Sequence, residues 1–109
     1  MKYYIYNLIC PLTGKVKYVG CTKNPKTRHS QHVKDSFKNN TEKQKWIQML
    51  LHQKREPTMK VVAEFDNEVD ARKAEENECI KHIDTILNIH MPGKGSRDIS
   101  FYKKTGKTK

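Results

Sequence analysis

KYYIYNLI (residues 2–9), CPLTG (residues 10–14) and KVKYVG (residues 15–20) follow one another at the start of the chain, and their reading decides the fold. The first stretch is rich in aromatic and β-branched residues, as strands are. Pro11 early and Gly14 late mark the second as a turn. The third alternates and reads as the return strand, giving a hairpin. By period two, Tyr4, Tyr6 and Leu8 share one face of the first strand, and Val16, Tyr18 and Gly20 share one face of the second. A register pairing Cys10 with Gly14 sets Tyr6 opposite Tyr18. Packing is the plainer account of that pair, since cross-strand aromatic pairs stabilise hairpins by up to about 1 kcal/mol. Two phenols beside a glycine that admits a close backbone approach also suit proton handling.

Beyond the hairpin, Asn24 and Pro25 read as the cap and first position of a helix running to about Phe37. Thr41 and Gln44 have capping-box spacing. The helix they open carries Trp46, Ile47, Met49, Leu50 and Leu51, an arc broad enough to make it the most buried one. Pro57 ends that segment, and MKVVAEF (residues 59–65) reads as a third strand. Asp66 or Asn67 caps a long helix to about Asp84, followed by a short extended piece, Leu87-Asn88-Ile89. The order is ββααβα plus a C-terminal tail. It predicts an α+β domain with a small, largely antiparallel three-stranded sheet flanked by helices. The domain is expected over residues 1–90 and a basic tail over 91–109.

The chain has 109 residues, 22 Lys and Arg against 12 Asp and Glu, and a formal net charge of +10. Such an excess concerns partners rather than fold, and it points to a polyanion. No apolar run is long enough to span a membrane, and the N-terminal stretch lacks a signal-peptide cleavage site. Cys10, Cys21 and Cys79 are odd in number and far apart, with no CxxC, so neither a disulfide framework nor a zinc ribbon is expected. An intracellular, cytoplasmic protein is the expectation. The tail holds Lys94, Arg97, Lys103, Lys104, Lys107 and Lys109 against one acid, Asp98.

Three places stand out chemically. On the last helix, Val69, Ile80 and Ile83 fall on one stripe at about 100° per residue, and Glu76 lies inside it. A carboxylate on an inward face needs compensation, from a metal or fixed cation, or from Arg72 one turn earlier. The helix alone leaves both open. On the first helix, Val33 and Phe37 form the apolar side, and Arg28 and His32 sit together at i, i+4 well away from it. A solvated basic face explains them, and so does an arginine gripping a phosphate beside a histidine that moves or orients a proton. His29 and His32 are spaced as metal ligands but lack a third. The hairpin phenols Tyr6 and Tyr18 are the third place. No phosphate-binding GxxxxGK[ST] loop and no GxSxG elbow occur. Cys21 reads as a packing cysteine.

Taken in order, Tyr4-Ile5-Tyr6, Tyr18-Val19-Gly20, Arg28, His32, Glu76 and Asn88 resemble the GIY-YIG nuclease domain over roughly residues 3–90. Tyr4 stands where the family name has glycine, and Val19 stands where it has isoleucine. The resemblance implies a metal-dependent DNA endonuclease. Tyr6 would be the general base or water-orienting group, with Tyr18 beside it. Arg28 would stabilise the scissile phosphate, with His32 on the proton path. Glu76 would bind a single Mg²⁺ or Mn²⁺, and Asn88 would complete the set. DNA is the implied partner, held by Arg28 and by Lys94, Arg97, Lys103 and Lys104 of the tail. The charge alone serves equally a non-catalytic nucleic-acid-binding module, or a nuclease subunit relying on a protein partner for specificity. No feature of the sequence indicates such a partner.

Overall fold

The computed structural model describes residues 2–38 and 41–88 of the chain. The hairpin consists of β1 (Tyr3–Ile9) and β2 (Val16–Thr22). Its turn closes where Cys10 N–H donates to Lys15 O at 2.9 Å. Gly14 takes a left-handed conformation there, with φ at 75°, which is easy only without a Cβ. β3 (Thr58–Phe65) pairs with β1 on its other side. The sheet is antiparallel throughout, in the order β2-β1-β3.

The hairpin register differs from the one expected. Tyr6 pairs with Gly20 and Leu8 with Tyr18, after which Ile9 pairs with Val16. Lys17 is thus an extra residue, a bulge that steps the register. Tyr18 and Gly20 keep a common face, but Val16 is turned to the other one and packs with the cluster around Ile5 and Val19.

Two helices serve one face of the sheet. The first, α1 (Pro25–Asp35), is capped by the Asn24 side chain, which accepts from Thr27 N–H. The second, α2 (Glu42–His52), has the full Thr41/Gln44 capping box. Trp46, Ile47 and Leu50 of α2 pack on Tyr6, Leu8 and Cys10 of β1. The expected apolar side of α1 is corrected. The helix stops at Asp35, so Phe37 lies beyond it and is exposed, while α1 meets the core through buried His32. The opposite face of the sheet carries α3 (Glu68–Lys81), capped by Asn67 and ending three residues short of expectation. Ala71 and Cys79 pack there with Ile5, Val19 and Ile86. Among the described residues no helix is long and apolar enough to cross a membrane.

The end of α2 carries backbone strain. Lys54 sits at φ 60°, while Arg55 N–H donates to Leu50 O at 2.8 Å and Lys54 N–H to Leu51 O at 2.9 Å. That is a left-handed helix stop, a position that favours glycine. Lys54→Gly is expected to stabilise the fold by about 1 kcal/mol, read as a raised urea midpoint at unchanged slope.

The stretch after α3 returns along the outer edge of β2. Thr85 Oγ1 donates to Val16 O at 2.6 Å and Leu87 N–H to Lys17 O at 2.6 Å. Asn88 then bonds the Val19 backbone twice, donating from Nδ2 to its carbonyl at 2.9 Å and accepting at Oδ1 from its N–H at 3.2 Å.

Candidate active site

The site is built on Tyr6. Its side chain is buried and lies across Gly20, its partner on β2. A Cβ at Gly20 would fall on the phenol, 2.7 Å from Cε1 and nearer still to Cζ and Oη. The missing side chain is therefore what admits the ring. Tyr6 Oη and His32 Nε2 are 2.7 Å apart in a buried hydrogen bond. Tyr18 completes a cluster of three rings, its centroid 6.3 Å from Tyr6 and 5.2 Å from His32.

The electrostatics of the cluster follow from burial. Desolvation raises both phenols above the ordinary tyrosine range, the nearby Glu75 carboxylate adding to it and Arg28 opposing. Tyr6 is therefore a neutral phenol in the free protein. Desolvation, then Lys43 and Arg28, push the His32 imidazole down to about 3, so it is neutral as well. Lys43 reaches in from α2. Its Nζ lies 3.3 Å from His32 Nδ1 and 4.7 Å from the Tyr18 ring centroid.

Arg28 and His32 come together as their spacing predicts. Arg28 is exposed and makes no ion pair among the described residues. It lines a cleft of about 330 Å³ with Cys21, Asn24, Glu68 and Arg72. A free guanidinium at a cleft is available to an anion.

The carboxylate that α3 turns toward the sheet is not the one its bulky stripe leads one to expect. Val69 is 78% exposed and Ile80 is also exposed, so these two do not face the core, while Ile83 lies past the helix end and packs against it. The face that does carries Ala71, Glu75 and Cys79. Glu75 is 6% exposed, whereas Glu76 is half-buried. Small side chains let α3 lie close to the sheet, and bulk was a misleading guide to its orientation. Arg72 pairs with Glu75 at 3.0 Å and with Glu68 at 3.5 Å, rather than with Glu76. Desolvation raises the Glu75 carboxyl above the ordinary glutamate range against the pull of Arg72. The i, i+4, i+8 run Ala71, Glu75, Cys79 was the signal in the sequence that selects Glu75. Lys43 carried no signal at all.

Asn88 sits one strand position from Gly20, bonded to Val19, and holds the strand rather than facing Tyr6. Lys94, Arg97, Lys103 and Lys104 lie outside the described residues, as do Ile89 and the rest of the tail.

The family model for the GIY-YIG catalytic domain matches residues 2–86. Comparison with curated proteins and with solved structures returns no match.

Proposed function

The chain belongs to the GIY-YIG catalytic domain family, a family of nucleases, and from that premise we propose that it is a metal-dependent DNA endonuclease. The observation that carries the reading is the buried Tyr6–His32 hydrogen bond at 2.7 Å beside an exposed arginine that has no carboxylate partner among the described residues. A neutral phenol bonded to a neutral imidazole can take a proton from water while passing on its own. A guanidinium next to them can hold the phosphate under attack.

Hydrolysis of a phosphodiester builds negative charge on the phosphate oxygens. Arg28 stabilises that charge as a bidentate donor. Tyr6 Oη accepts the proton of the attacking water as its own proton moves to His32 Nε2. Tyr18 packs on both rings and fixes their orientation. Gly20 leaves the space in which Tyr6 lies.

Among the described residues no group of three His, Cys, Asp or Glu could hold a metal, so a closed all-protein cage does not fit. A hard divalent cation held by one carboxylate, with the rest of its shell from water and substrate phosphate, does fit. Glu75 is the buried carboxylate that suits it, since burial leaves its charge under-compensated by Arg72 alone. Bound there, Mg²⁺ or Mn²⁺ supplies further charge neutralisation at the phosphate.

Residues 91–109 are proposed as a separate basic tail that adds sequence-independent attraction to the DNA backbone through Lys94, Arg97, Lys103 and Lys104. Orienting contacts of this kind carry no base readout.

The test is nicking of supercoiled plasmid with and without a chelator. Wild-type protein is expected to nick only with divalent metal. Arg28→Ala should slow single-turnover cleavage by about a hundredfold, the scale for loss of one charge-stabilising donor. Metal-independent nicking, or an Arg28→Ala rate equal to wild type, would remove the reading.

A further inference from the structure

We infer that Lys43 is the outer end of a proton relay in which Tyr6, His32 and Lys43 carry the proton of the attacking water away from the scissile phosphate. The inference rests on the nuclease reading above and extends it to a residue of α2.

The geometry is a chain of two contacts. Tyr6 Oη is 2.7 Å from His32 Nε2, and His32 Nδ1 is 3.3 Å from Lys43 Nζ. One imidazole thus bridges a phenol and an amine through its two nitrogens. A neutral imidazole carries one N–H and one acceptor. With the proton on Nδ1 donated to a neutral amine, Nε2 is free to accept from Tyr6.

The relay needs this outlet because His32 is a poor place for a proton to stay. It is buried, with Arg28 on its own helix and Lys43 facing it, so an imidazolium there is disfavoured. The proton that enters at Nε2 must leave at Nδ1, and the group found there is Lys43. A lysine can do this only if it is deprotonated for part of the time. Burial and the facing Arg28 both favour the neutral amine, Asp35 opposing them, and lysines in such surroundings serve as bases. The other groups facing Lys43 are His32 on α1 and the ring of Tyr18 on β2. On α2 itself, Glu42 is engaged by Lys45 at 3.9 Å.

The step balances. The water oxygen bonds to phosphorus as the bond from phosphorus to the leaving oxygen breaks. The water proton goes to Tyr6 Oη, the phenol proton to Nε2, and the Nδ1 proton to Nζ. The leaving oxygen takes its proton from solvent. Lys43, left as an ammonium and only half-buried, loses its proton to solvent between turnovers, and His32, left protonated at Nε2, returns to its Nδ1–H tautomer by proton exchange.

A relay and a fixed positive charge make different demands on this position. Arginine keeps the charge but does not deprotonate in proteins. Single-turnover nicking of supercoiled plasmid in Mg²⁺ would be followed from acid to alkaline pH for wild type, Lys43→Arg and Lys43→Met. The wild-type rate is expected to rise with pH through the lowered Lys43 titration. Both variants should lose that rise and fall by about tenfold to a hundredfold at its plateau, while Lys43→Arg keeps wild-type DNA affinity. A ¹³C NMR titration of the Lys43 side chain supplies a readout independent of cleavage, and it should show a midpoint below that of the other lysines. Wild-type rate and pH profile in Lys43→Arg would overturn the relay alone, as would an ordinary Lys43 titration. Failure of the wild-type chain to nick at all would overturn the nuclease reading, and the relay with it.

Discussion

Glu75→Ala is expected to lower single-turnover DNA cleavage by roughly a thousandfold, while Glu76→Ala, one residue on, stays within about twofold of wild type. The contrast follows from the direction in which α3 presents its side chains. Glu75 is buried against the sheet, and its charge adds to the upward shift of both phenols. Glu76 is only half-buried, and at Cys79 its charge ranks behind those of Glu75 and Glu78. A second measurement separates function from folding. The Glu75 carboxyl titrates above its ordinary range because burial penalises its charge. A raised carboxyl pKa in the folded state means that stability is greater below the ordinary glutamate pKa. That advantage is lost as the pH rises through the folded value. Glu75→Gln should therefore be more stable than wild type at neutral pH and converge with it in acid, as read by urea unfolding. An inactive and more stable variant marks a carboxylate kept for chemistry. A Glu76→Ala variant with no activity would show that the helix is turned the other way.

Gly20→Ala should combine a loss of stability of about 1–3 kcal/mol, the scale for overpacking a filled interior, with a loss of cleavage of about a hundredfold. The added methyl meets the Tyr6 phenol rather than the end of a flexible chain. The ring must move, and Oη is the atom that bonds His32. Displacing a reacting group by about 1 Å is enough for a hundredfold loss of rate. Unfolding in urea and nicking under single-turnover conditions measure the two effects. An alanine variant with wild-type values in both would show that Tyr6 does not lie over Gly20.

Much of this architecture was legible because local chemistry and tertiary structure agree. Asn24, Thr41, Gln44 and Asn67 announce helix starts in side chains that do the capping themselves, and Pro25 marks the first helical position. The strand sequences are rich in β-branched and aromatic residues, and the element order follows. The neighbourhood of Arg28 and His32 was legible through the helical period, and the shared face of Tyr18 and Gly20 through the strand period. The failures share a cause. The Lys17 bulge adds one residue that no residue type declares, so the tyrosine register came out two positions off and Val16 fell on the wrong face. The orientation of α3 depends on how closely a helix can approach a sheet, which small residues decide. Val69 and Ile80 therefore point outward, and Glu76 is only half-buried. Lys43 is one of many lysines in the chain, and only the meeting of α1 and α2 sets it apart.

The amide of Asn88 occupies the place where a further strand would bond to β2. With the Thr85 and Leu87 bonds to Val16 and Lys17, it quenches the hydrogen-bonding groups of that edge from within the same chain. Exposed sheet edges are where proteins recruit foreign strands and begin to aggregate. The two rims of this sheet are thus unequal. Among the described residues, strand addition by another molecule is hindered along β2 from Val16 to Val19, while β3 at the far side has no such cover.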